Sequence, residues 1–188
     1  MACAAELLSG VIPARIGGSD VCSDFSAEKK KKTNRRARRQ RMDIHYELKS
    51  QDSDAFSLHD CRTSLIEYEN NRLTFFFPAG IFCEDYGDDW PNTGAASVEY
   101  LVDPKGRVFL YLFMEIDGQT IRKEYSIEEL IQAVNSGRWE LEFAYRFDGY
   151  QEVLYTCWIW ENQQPWTYEA QLFIGMKEEV FRYNPPRL

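Results

Sequence analysis

The chain is short of the residues and motifs from which most active sites are built. Its 188 residues include two histidines, His45 and His59, so imidazole-based metal sites and catalytic triads have little to draw on. No GxGxxG, GxxxxGK[ST], GxSxG or HExxH occurs, which removes the usual dinucleotide, phosphate-loop, serine-hydrolase and zinc-protease signatures. Five cysteines (Cys3, Cys22, Cys61, Cys83 and Cys157) are odd in number and show no CxxC spacing. A secreted disulfide framework needs an even, closely spaced set, so reduced thiols in a cytoplasmic protein are expected. The lack of any Asn-x-Ser/Thr sequon agrees with that placement. No apolar run reaches the roughly 18 residues a spanning helix needs, so no membrane segment is expected. Nor does the N-terminus read as a secretory signal, because its positive charges follow the weakly apolar stretch from Leu7 to Ile16 instead of preceding it.

What is present divides sharply at Met42. Residues 1–41 carry ten Lys/Arg against four Asp/Glu, a net of +6, and end in a run comprising Lys29 to Lys32, Arg35, Arg36, Arg38, Arg39 and Arg41. Residues 42–188 carry the remaining 12 Lys/Arg against 26 Asp/Glu, a net of −14. Three readings fit the leader. It is a basic arm that gains affinity for nucleic acid by releasing phosphate counterions. Alternatively it is a disordered, solvated tail, since such a charge block does not collapse onto itself. In the third reading translation begins at Met42, with Arg38-Arg39 encoded as AGG-AGG and serving as a ribosome-binding site. The tail or internal start is the expectation, and nucleic-acid binding is expected only if residues 1–41 are translated and functional.

The body, 42–188, is one domain, and it repeats one grammar of apolar or alternating run, turn signal and next run. Asn70-Asn71, Asp103-Pro104-Lys105-Gly106, Asp117-Gly118, Asp148-Gly149 and the segment from Asn162 to Pro165 supply turn chemistry. Strands are predicted near 62–69, 72–78, 97–103, 107–116, 119–125, 138–147, 151–161, 166–174 and 178–183. Strand 107–116 is apolar on both faces and should be buried on both. In 138–147, Trp139, Leu141, Phe143, Tyr145 and Phe147 share one face and should all point into the core. One helix is predicted near 127–136, opened by the capping-box sequence Ser126-Ile127-Glu128-Glu129 and closed by Gly137. The expected fold is therefore mainly β (α+β), an antiparallel meander of about nine strands forming a sandwich or partly open barrel.

Three constellations invite chemistry. His59 beside Asp60 and Cys61 suggests an activated thiol or a metal corner. The alternative is a strand-entry turn with Cys61 as a small buried hydrophobe, and it is favoured because adjacent residues on an extended chain point to opposite faces. The loop from Glu84 to Asn92 clusters carboxylates around Gly87 but lacks the ligand order of a calcium loop. It suits a partner contact better, with Tyr86 and Trp90 as anchors and Glu84, Asp85, Asp88 and Asp89 steering a basic surface. The aromatic set Trp139, Tyr155, Trp158, Trp160, Trp166 and Tyr168 is expected to be core. Read instead as a ligand pocket or base-stacking platform, it meets the objection that a body at −14 repels phosphate.

The segment from Phe56 to Phe76, a Phe/Leu-His-Asp opening followed by a strand, an Asn-rich turn and a second strand, resembles several small β-rich bacterial families. Some of these are immunity proteins of polymorphic toxin systems. The resemblance covers about 20 residues and implies a cytoplasmic protein that blocks a cognate toxin without catalysis. The expectation is thus a non-enzymatic binding protein with a basic protein partner and no cofactor or metal. A small-molecule-binding or enzymatic β-barrel with an aromatic-lined cavity is the first alternative.

Overall fold

Tight hairpins set the architecture. Asn70 and Asn71 (φ 53° and 60°) join β4 (Leu65–Glu69) to β5 (Arg72–Phe77), and Asp117 and Gly118 (φ 52° and 73°) join β8 (Val108–Ile116) to β9 (Gln119–Ser126). Two successive positive φ angles make a turn whose twist matches paired strands, which is why Asn and Gly occupy these positions. In the computed structural model the described residues are 47–50, 53–87, 91–161 and 167–186. They form twelve strands and one helix. The other strands are β1 (Glu47–Ser50), β2 (Phe56–Ser57), β3 (Arg62–Thr63), β6 (Phe82–Cys83), β7 (Ala96–Val102), β10 (Trp139–Gly149), β11 (Glu152–Glu161) and β12 (Thr167–Tyr183). β2 and β6 pair only with each other.

All pairings are antiparallel, and the sheets do not close into a barrel. The 17-residue β12 links two layers. Its first half pairs with β11 and β8, giving a first layer in the order β3-β10-β11-β12-β8-β9. Its second half pairs with β1 and β7, giving a second layer in the order β1-β12-β7-β5-β4. The strand changes layer at Gly175, and the register shifts between Met176 and Glu178. A Cβ on Gly175 would lie 2.8 Å from Gly106 Cα, so the chain can cross the 103–106 turn only without a side chain there. The expected pair of strands, 166–174 and 178–183, is thus one bent strand. Sequence marks the bend as a break because Gly175-Met176-Lys177 interrupts the alternation.

The layers meet through aromatic rings. Phe143 of β10 meets Phe75 and Phe77 of β5 edge-on at 5.4 and 5.5 Å and Tyr155 of β11 at 5.0 Å. Such edge-to-face contacts add to the large area these rings bury. The helix α1 (Ile127–Asn135) carries the predicted capping box, with Ser126 and Glu129 each bonding to the other's backbone N–H, and buries Ile127, Leu130, Ala133 and Val134. Its Asn135 side chain bonds both N–H and C=O of Ile66 at 2.8 Å, which closes the outer edge of β4.

Two face assignments differ from expectation. β8 buries Leu110 and Leu112, while Phe109, Tyr111 and Phe113 on its other face are only half-buried, because no further layer among the described residues covers that side. In β10 the register shifts between Phe143 and Arg146, so that Ala144 and Tyr145 together oppose Thr156. This bulge reverses the alternation. Trp139, Leu141 and Phe143 are core, but Tyr145 and Phe147 are 63% and 54% exposed. Arg146, which the alternation places outside, turns inward opposite Tyr155. The β10–β11 turn also falls at Tyr150-Gln151, two residues beyond the Asp148-Gly149 signal, with Gln151 supplying the positive φ.

Candidate functional site

The His59-Asp60-Cys61 segment is a structural turn. Ser57 Oγ accepts from His59 N–H (3.2 Å), Cys61 N–H bonds Leu58 C=O (2.9 Å), and Asp60 takes the left-handed conformation at φ 58°. His59 Nδ1 lies 3.1 Å from Asp60 Oδ2, on the solvent side of the turn. Cys61 points the other way, into the core, and burial pushes its thiol up to about 12. A thiol held protonated is a poor nucleophile. Iodoacetamide is therefore expected to spare the buried Cys61, Cys83 and Cys157 in the native protein and to label all three in denaturant, as read by peptide mass spectrometry. Rapid native labelling of Cys61 would restore the activated-thiol reading.

In the acidic loop, Glu84 and Asp85 are exposed, whereas Tyr86 is half-buried with its ring 5.9 Å from that of Tyr183. Tyr86 therefore props the loop against β12. Asn92 anchors it from below, its amide donating to Cys83 and Gly87 carbonyls at 2.7 and 2.8 Å. Asp88, Asp89 and Trp90 lie outside the described residues, as do Trp166, the turn expected from Asn162 to Pro165 and the whole basic leader. No group of three or more His, Cys, Asp or Glu placed to hold a metal occurs among the described residues. No helix among them is long and apolar enough to cross a membrane.

Two further constellations are assembled by the fold, the second of them from Trp158 and Trp160 of the aromatic set that the sequence places in the core. The first is a polar cluster where β7, β10, β11 and β12 meet. Arg146 Nη1 donates to both Glu179 oxygens at 3.0 and 2.8 Å and to Tyr155 Oη at 3.2 Å, and the Tyr155 and Tyr100 hydroxyls are 2.8 Å apart. Asp148 holds the rest of the guanidinium at 2.7–3.1 Å. Burial pushes the Glu179 carboxyl up against the pull of Arg146, and burial and then the Glu179 charge push both phenols well above their ordinary range. Burial opposes the charge on Arg146, but the Asp148 bonds and the surrounding negative charge outweigh it, so the guanidinium stays protonated. The cluster floors an open cleft of about 360 Å³ lined also by Met176, Lys177, Glu178 and Phe181. Every group in it already has a partner, so it offers neither a free base nor a nucleophile; what it does is lock the two layers together.

The second is the outer face of the first layer, which no element covers among the described residues. The register aligns Phe147, Leu154, Phe173 and Phe109 in one row across four strands, with Phe109 and Phe173 stacked at 4.8 Å. A parallel row sets Trp158, 41% exposed, between Glu142 and Glu169. Trp158 and Trp160 are thus on this face; among the described members of the expected core set, Trp139 and Tyr155 are buried and Tyr168 packs partly buried against the core. Cations already stack along its margin, with Arg122 over Tyr111 at 4.3 Å and Arg62 over Trp160 at 4.2 Å. Family models, curated proteins and solved structures give no match to this chain.

Charge on the described surface is lopsided. Of the ten Lys/Arg whose side chains are described, Arg62, Arg72, Arg107, Arg146, Lys177 and Arg182 pair with carboxylates. Arg122, Lys123 and Arg138 lie over aromatic rings at 4.3–4.7 Å. Nine of the ten are thus engaged within the chain, Lys105 being the exposed exception, and the excess left to face solvent is carboxylate.

Proposed function

We propose that this domain is a non-enzymatic binding protein that recognises a basic protein partner through the outer face of its first layer. The observation that carries the reading is Trp158, an exposed indole set by register between two carboxylates on a sheet face of aromatic side chains. Large aromatic side chains are the residues that most often dominate binding energy, and the surrounding acid would speed encounter with a cationic surface. The same face already binds the chain's own guanidinium groups over its rings, which is the chemistry a Lys/Arg-bearing partner would meet.

An immunity-type inhibitor of a basic toxin in the cytoplasm is the specific form of this proposal. The ring-filled interface between the layers supports a surface site over the competing cavity-lined barrel. The test is calorimetric binding of the full chain to the purified basic protein encoded beside its gene, repeated at rising salt. Affinity should fall as salt screens the attraction, and Trp158→Ala should weaken binding by about tenfold or more. Absence of binding, or affinity indifferent to both salt and Trp158→Ala, overturns the proposal. Co-expression should also restore growth of cells producing that neighbour; failure of rescue with binding intact removes the inhibitor form alone.

A further inference from the structure

Among the described residues β9 is a free sheet edge: seven of its eight residues are exposed, and it pairs with β8 alone. Other edges are short or closed: β1 has four residues, β3 has two, and β4 is closed by Asn135. The turn at Asp117-Gly118 is shut by the hydrogen-bonded pair Ile116 and Gln119, and pairs alternate from there along an antiparallel ladder. Gln119, Ile121, Lys123 and Tyr125 therefore spend their backbone groups on β8. Thr120, Arg122 and Glu124 aim theirs outward, whereas Ser126 N–H is taken by Glu129 at 2.8 Å.

An open edge is a template for another strand, and the order of charges on β9 selects which. We propose that β9 pairs antiparallel with β9 of a second copy of this chain about a two-fold axis at Lys123, joining the two first layers into one continuous sheet. In that register Arg122 of each copy faces Glu124 of the other, and Ile121 faces Tyr125, so each favourable pair occurs twice. The two Lys123 residues meet on the axis, but each ammonium lies over its own Tyr125 ring at 4.5 Å. Moving the axis to Arg122 would set two guanidinium groups directly opposite, and moving it to Ile121 would leave both Glu124 side chains without a cation across the strand. This pairing does not rest on the binding reading above: it uses the edge of the sheet and leaves Trp158 open, although Arg122 also lies over Tyr111 at the margin of that face.

Sedimentation equilibrium of the full chain from micromolar to millimolar concentration should show a monomer–dimer equilibrium. Arg122→Glu and Glu124→Arg should each weaken the dimer by about tenfold, by placing like charges opposite one another twice. The double exchange R122E/E124R recreates both pairs and should restore the affinity. These side chains are exposed, and circular dichroism verifies that each variant is folded. A monomer at every concentration overturns the proposal and leaves the edge to a different strand. So does a dimer that ignores the single variants, or single-variant losses that the double exchange fails to repair.

Discussion

Arg146→Met is expected to cost about 3–5 kcal/mol of folding stability, the range for removing one partner of a buried ion pair. The loss comes mainly from what remains. Glu179 is only 7% exposed and Arg146 23% exposed, so Met leaves a carboxylate in the seam between the layers with two phenols and no cation. For a domain of this size such a loss lowers Tm by on the order of 10 °C. The double variant Arg146→Met/Glu179→Met removes both charges and should recover most of the loss, because an apolar replacement of a buried pair is often neutral. Chemical denaturation of the three proteins tests this, and a single variant within about 0.5 kcal/mol of wild type would show that the pair does not hold the seam.

The same variant has a pH signature. Burial raises the Glu179 carboxyl above its ordinary 4.5, so the folded state holds that proton more tightly than the unfolded chain. A group of this kind contributes its full stability below the unfolded value and loses it as pH rises through the folded one. Without Arg146 the carboxyl should rise further. The deficit of Arg146→Met relative to wild type should therefore be greatest near neutrality and shrink as pH falls toward the ordinary carboxylate range. A deficit that is flat with pH would place its origin in lost packing, not in the stranded charge.

Much of the fold was legible in the chain because its signals are local. Asn70-Asn71 and Asp117-Gly118 are turns by backbone necessity, and the Ser126/Glu129 capping box opens the helix as its spacing implies. What was not legible is one irregularity that carries no residue signature of its own. The β10 bulge uses Ala144 and Tyr145, neither of them a residue that demands an unusual backbone, so period-two alternation runs through it unbroken. The consequence is that alternation places Arg146 on the solvent face, away from Glu179. Whether Trp158 faces the core or the solvent likewise depends on which side of the sheet receives the second layer, a tertiary fact that alternation leaves open.

The β10 bulge yields the sharpest contrast between substitutions on one strand. Phe143 and Phe147 are four residues apart and share a face by alternation, yet the bulge sends one inward and the other outward. Phe143→Ala is expected to cost about 3–5 kcal/mol, the transfer of a buried ring plus the void it leaves. Three rings from two strands, β5 and β11, surround that void, and rigid neighbours cannot collapse into it. Phe147→Ala, on the exposed side, should change stability by within about 1 kcal/mol and weaken only the binding of the proposed basic partner. Measured unfolding free energies of the two variants decide the matter, since equal losses would mean that β10 runs regularly and buries both rings. Unequal losses together with impaired binding by Phe147→Ala would tie the bulge to function: by turning Arg146 inward to clamp the layers, it frees Phe147 to extend the aromatic face beside Trp158.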